Sequence, residues 1–167
     1  MTVQRKNKHI FVFGIFAVDI SFYVDKKVNP GETIIAKGSN IGPGGKASNQ
    51  AISARKLGAT TTLITRLGND NFNTYANTIW RKEKLTTRAK IDKALPTGVA
   101  GIFIDVKTGE NSVIVHPGAS AHLGMNDFNS HKSKMQKGDI FLTQFEQSPE
   151  TTFSVLKEAK KLGMTTI

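Results

Sequence analysis

The sequence predicts an α/β fold in which short buried strands alternate with amphipathic helices. Three runs, residues 9–16 (HIFVFGIF), 60–67 (TTTLITRL) and 139–145 (DIFLTQF), are largely apolar and rich in β-branched and aromatic side chains. That is the pattern of a strand covered on both faces, as in a parallel sheet. Between them, apolar residues recur at three- and four-residue steps, so helices separate the strands. The third observation is a pair of β-rich stretches, residues 22–41 and 99–116, whose turn signals predict small hairpins, the first of them outside the main sheet.

Taken in order, residues 1–8 form a polar, basic lead-in that is expected to fray. The first strand, residues 9–16, is followed by Asp19. In open α/β sheets ligands bind beyond the carboxyl ends of strands, which gives an acid there a functional reading; a cap or turn aspartate is the equal alternative. Pro30-Gly31 is a turn dipeptide between Ser21-Phe22-Tyr23-Val24 and Thr33-Ile34-Ile35-Ala36, which predicts a hairpin between those two runs. Gly42-Pro43-Gly44-Gly45 is expected to be a tight turn, because glycine and proline weaken the interior of a helix or strand.

The turn opens a helix with Ala47, Ala51, Ala54 and Leu57 on one side and Gly58 as its stop. Such a turn presents unpaired N–H groups and the positive end of a helix dipole, and puts Lys46 and Asn49 one turn apart on one face. A plain strand-to-helix loop is the bland reading. After strand 60–67, residues 71–84 predict a helix with Phe72, Tyr75, Ile79 and Trp80 inward. Residues 87–91 are a short strand, and 99–106 with 112–116 a hairpin that ends at His116. No acid or nucleophile pairs with His116 in the sequence, so it reads as structural rather than as a general base. Residues 127–137 predict a weak helix capped by Asn126 or Asp127. Strand 139–145 is followed by Glu146, which matches Asp19 after the first strand and places both acids at one crevice. A helix over 149–162 turns Phe153, Leu156, Ala159 and Leu162 inward, and residues 164–167 begin another strand.

Two common glycine-loop chemistries fail at this turn. A phosphate loop of the G-x-x-x-x-G-K-[ST] type needs glycine at Asn40 and a hydroxyl at Ala47. A dinucleotide fingerprint through Gly42, Gly44 and Ala47 needs an apolar strand before it and an acid ending the next strand. The chain has Lys37-Gly38-Ser39-Asn40 and Thr65-Arg66-Leu67 instead.

The 167 residues suit one domain with one core. There is no cysteine, which excludes disulfides and thiolate metal sites; no metal site is expected. Without a signal peptide, a reducing cytoplasm is the expected location, and no apolar run approaches the length of a membrane span. The net charge of +10 is dispersed in short groups such as Arg81-Lys82 and Lys160-Lys161. It reads as solvated surface rather than a nucleic-acid stripe, and it suits an anionic substrate.

Together the motifs carry a resemblance. Gly44-Gly-Lys-Ala-Ser-Asn49, with Gly58-Ala and Arg66-Leu-Gly-Asn-Asp70, is similar to the first signature of the ribokinase family of carbohydrate kinases. Pro30-Gly-Glu-Thr33, Thr97-Gly-Val-Ala100, His116-Pro-Gly-Ala119 and Gln144-Phe-Glu146 match that family's order and spacing. The resemblance, which covers nearly the whole chain, implies a mostly parallel central sheet with helices on both faces and a small β-lid from residues 22–41 and 99–116. It further implies ATP-dependent phosphorylation of a sugar or nucleoside hydroxyl, with ATP and Mg as cofactors. By that resemblance the acceptor sugar is held by Asp19, Gly44, Gly45, Lys46, Asn49 and Glu146, and lid strands pair in a homodimer. Two departures stand out. Ala17 occupies the place where ribokinase proper carries asparagine, and the family's catalytic Gly-Ala-Gly-Asp segment and nucleotide pocket belong to a carboxyl half that these residues lack. The expected reading is therefore the sugar-binding half of such a kinase, with no catalytic residue of its own. A non-catalytic sugar-binding or dimerising fragment is the alternative.

Overall fold

In a computed structural model that describes residues 8–167, the predicted strands sort into two sheets. All but Lys8 of the basic lead-in over residues 1–8 lies outside the described residues. The first half comprises β1 (His9–Phe13), β2 (Ala17–Val24), β3 (Gly38–Gly44), α1 (Lys46–Lys56), β4 (Thr60–Gly68), α2 (Asn71–Lys82) and β5 (Thr86–Asp92). The second comprises β6 (Gly98–Asp105), β7 (Asn111–His116), α3 (Met125–Asn129), β8 (Ile140–Thr143), α4 (Pro149–Lys161) and β9 (Thr165–Thr166), with short 3-10 turns on either side of α3. The larger sheet runs β5-β4-β1-β8-β9 and all its pairings are parallel. The smaller runs β3-β2-β6-β7, with β2 and β6 parallel and the outer pairs antiparallel.

Strand alternation explains why the larger sheet carries helices on both faces. Phe11 and Phe13 point to one side, where they meet Phe128, Phe141 and Val155 under α3 and α4. Val12 points to the other, with Leu63, Ala47 and Trp80 under α1 and α2. The indole N–H of Trp80 donates to buried Ser48 Oγ at 3.1 Å, which fixes α2 against α1.

Several expectations are corrected. The run 9–16 is not one strand: β1 stops at Phe13, and after Gly14 the chain crosses to the smaller sheet. At Gly14 a Cβ would sit 2.4 Å from Gln144 Oε1 and 2.6 Å from the Ala47 Cβ, so only glycine lets the chain leave so close to α1. The partner of β2 is β3, in register Asp19↔Gly42, and not residues 33–36, which lie outside any strand with Ile35 94% exposed. Gly42, Pro43 and Gly44 belong to that strand. Its edge position tolerates proline, because among the described residues β3 pairs only with β2, and the turn is confined to Gly45. In place of one helix over residues 127–137 stand α3, Met125–Asn129, and a separate 3-10 turn at Lys132–Lys134. The cap of α3 is Gly124, whose N–H donates to Asp127 Oδ2 at 3.0 Å. On α4 the buried face is Thr152, Val155 and Ala159, while Phe153 is exposed and stacks edge-on against exposed Phe145.

Where β5 hands over to the smaller sheet, four ionisable groups interlock. Arg66 Nε donates to both carboxylate oxygens of Asp127 at 3.1 and 3.0 Å, and its Nη1 donates to Asp92 Oδ2 at 3.2 Å. Asp92 also accepts from His122 Nδ1 at 2.7 Å and from the N–H groups of Ala94 and Leu95. The His122 bond first, and then the Ala94 N–H, hold the Asp92 carboxyl well below the usual carboxylate range. A depressed folded pKa contributes stability that is present above the unfolded value and lost as pH falls through the folded one. Asp92→Asn is therefore expected to be less stable than the parent at neutral pH, with the gap closing below about pH 4. Thermal midpoints across pH 2–8 check this, and a gap independent of pH contradicts it.

Candidate functional site

At the carboxyl ends of β1 and β8, beneath the smaller sheet, lies a cavity of about 240 Å³. Its polar lining is Asp19, Lys46, Asn49 and Glu146, the side chains that the sequence singles out, with the backbone of Gly45 between them. Gly44 does not line it but shapes it.

Each group reaches the cavity by its own local rule. Asp19 is the third residue of β2, so it enters from the smaller sheet and not from the end of the first strand. Period-two alternation puts Ala17 on the same face, and the ladder places Ala100 opposite Asp19, with Val115 opposite Ala100. The Asp19 carboxylate packs on the Cα of Gly44, where a Cβ would stand 2.0 Å from Oδ1. At Gly45 φ is +82°, and a Cβ would stand 2.4 Å from the Ile15 carbonyl oxygen. This glycine lets the edge strand β3 turn straight into α1.

The start of α1 has no side-chain cap and no acid in its first turn. Glu146, delivered across 100 positions by the turn after β8, fills that role. Its Oε2 accepts from the Lys46 backbone N–H at 3.2 Å, and its Oε1 meets Lys46 Nζ at 2.6 Å. A carboxylate at a helix N-terminus is favoured by the dipole and by the free N–H groups. Burial raises the Asp19 pKa, and the nearby Glu146 charge adds to the rise. Two acids, one amine and one amide thus share a small space, with Lys46 compensating part of the negative charge.

Opposite the polar groups stand Ala17, Ala100, Ile102, Val113 and Val115, an apolar wall built by the smaller sheet. The sequence reading did not single out this wall, although period-two strand geometry puts Ala100 with Ile102, and Val113 with Val115, on one face. Nor did it single out Gln50, one residue beyond Asn49, whose Oε1 accepts from Gln144 Nε2. His116 ends β7 exposed and away from this lining. Among the described residues no group of three or more acidic or histidine side chains is placed to hold a metal. The glycine pair is packed against Asp19 and Ile15, so it leaves no phosphate cradle. No helix among the described residues is long and apolar enough to cross a membrane.

A site of paired acceptors and donors facing an apolar wall suits a polyhydroxylated molecule with a C–H face. The family model for pfkB family carbohydrate kinases matches residues 7–166. The chain belongs to this family. Ribokinase from Dictyostelium discoideum is 36% identical over 156 residues, 92% of this chain and 48% of that protein. A deoxyribokinase from Salmonella typhi is 31% identical over 158 residues, 93% of this chain and 51% of that protein. Among solved structures, ribokinase from Giardia lamblia aligns with a TM-score of 0.85 at 26% identity, covering 96% of this chain and 50% of the other. Ribokinase from Arabidopsis thaliana, complexed with ribose and ATP, aligns at 0.77 and 26% identity, covering 96% and 52%. The chain spans about half the length of the curated relatives it matches.

Proposed function

We propose that this chain forms the acceptor site of a ribokinase-like kinase, and that the complete protein phosphorylates a hydroxyl of a sugar or nucleoside with ATP. The observation that carries this is the convergence of Asp19, Lys46, Asn49 and Glu146 on one cavity under a separate small sheet. In this reading Asp19 accepts from two vicinal hydroxyls, while Lys46 and Asn49 donate to hydroxyl or ring oxygens. Glu146 holds Lys46 in place and accepts from a further hydroxyl. The strands β2, β3, β6 and β7 act as a lid that excludes water from the acceptor hydroxyl, so that water does not compete for the phosphoryl group. ATP with Mg²⁺ would be the source of that group, and no described residue is assigned to hold either or to act as a catalytic group. The exposed edge strand β7, with Val113, Ile114 and Val115 open to solvent, supports lid-to-lid pairing of two copies. Calorimetric titration of pentoses tests the reading. Glu146→Gln is expected to weaken binding by about tenfold or more, the worth of one charge-assisted hydrogen bond. An unchanged dissociation constant removes Glu146 from the site.

Ala17 favours a second, narrower reading. Its methyl lines the cavity two residues before Asp19 and offers no hydrogen bond, and a deoxyribokinase is among the similar proteins. Both support a sugar that presents a methylene there, a deoxypentose. Ala17→Asn is then expected to shift preference toward the fully hydroxylated pentose by about three- to tenfold. The ratio of the two dissociation constants checks it, and an unchanged ratio contradicts it.

A further inference from the structure

We propose that the cleft along the outer edge of the larger sheet, lined by Arg88, Lys90 and His131, binds a small phosphate-bearing anion. The cleft measures about 480 Å³. One wall is the edge strand β5, where Arg88 and Lys90, two residues apart, project to the same face. The other wall is α3 with the turn at its carboxyl end, which contributes Asn126, Ser130 and His131. β5 is the outermost strand, and β4 and β1 separate it from β8, so this cleft is distinct from the cavity that holds Asp19 and Glu146.

Charge gives the cleft its chemistry. No carboxylate lines it. A second cavity of about 220 Å³ shares Arg88 and His131 and adds Lys134 and His9, again without an acid. Among the described residues, the side chains of Arg88, Lys90 and His131 form no hydrogen bond or ion pair. The acid nearest in influence is Asp127, and it is held by both bonds from Arg66. His131 feels the consequence: burial and then the Arg88 charge lower its pKa, against an opposing pull from Asp127.

Arg88 and Lys90, with no counter-ion among the described residues, repel one another, and an anion relieves that cost. The donor set selects the anion. Arg88 offers a planar fork for two oxygens, Lys90 a point charge and Asn126 a neutral donor, while the Ser130 hydroxyl already donates to the Asp127 carbonyl at 2.9 Å; the first three together match a tetrahedral oxyanion better than a planar carboxylate. The same chemistry serves free phosphate and the phosphoryl group of a small ester.

The test monitors the His131 side chain by ¹H–¹³C NMR while inorganic phosphate, methyl phosphate or sodium chloride is added at matched ionic strength. Phosphate or its ester is expected to give a saturable shift that chloride does not give. Saturation by both points to the phosphoryl group itself, and saturation by the ester alone points to an organic phosphate. Arg88→Met and, separately, Lys90→Met are each expected to weaken the response at least tenfold with an unchanged melting temperature and unchanged pentose binding. A linear response to both phosphates, an equal response to chloride, or full affinity in both variants overturns the proposal. None of these results bears on the sugar cavity.

Discussion

Asp19→Asn is expected to cost pentose affinity about a hundredfold, because two hydrogen bonds to a charged acceptor are weakened or lost, each worth about 1.5–3 kcal/mol. The same substitution is expected to leave the fold as stable as the parent, or more so, at neutral pH. Burial and the charge of Glu146 raise the folded pKa of this carboxyl. A raised pKa means stability that is full below the unfolded value and lost as pH rises through the folded one. The ionised group is therefore a burden to the free protein above that window, and asparagine removes it. Binding has the opposite sign: affinity falls as pH drops through the raised pKa and the acceptor is protonated. Calorimetry and thermal melts on one pair of proteins read both effects. Full affinity in Asp19→Asn, or a large fall in melting temperature, contradicts the account.

Gly45→Ala is the substitution with the largest expected effect on folding. The backbone there has φ +82°, and the added Cβ would lie 2.4 Å from the Ile15 carbonyl oxygen and 2.8 Å from the Phe16 Cα. Both obstacles are backbone of the crossing from β1 to β2. A conformation foreign to L residues and an overpacked contact together cost about 2–5 kcal/mol, a large share of the roughly 5–15 kcal/mol that holds a domain together. Gly44→Ala is the informative contrast. The three atoms nearest its added Cβ all belong to the Asp19 carboxylate, at 2.0 to 2.5 Å, and a side chain can swing aside where backbone cannot. It is expected to lose sugar affinity with the smaller loss of stability. Urea unfolding of the two variants checks the order, and Gly44→Ala proving the less stable contradicts it.

The core strands are legible in the sequence because burial on both faces writes long apolar runs, as in residues 60–67. The same rule hides the break at Gly14. The apolar run continues while the chain changes sheets, since Ile15, Phe16, Ala17 and Val18 are buried too. Asp19 thus reaches the predicted crevice from a strand of the lid-like sheet rather than from the end of β1. Pro43 misleads for a different reason: composition marks a turn, but an unpaired strand edge has no need of the missing N–H. Phe153 shows the limit of periodicity on α4, where the apolar stripe and the buried face differ by one residue. The Lys46–Glu146 contact joins positions 100 apart, and the parallel pairing of β1 with β8 is what makes it possible.

The central claim is most directly tested by mapping backbone amide shifts while a pentose is titrated into the protein. Gly45, Lys46 and Asn49 on one side, and Asp19, Ala100 and Val115 on the other, are expected to shift together along one saturation curve. Shifts confined to the start of α1 or to the smaller sheet alone, or centred on β5, would contradict a shared sugar site between them.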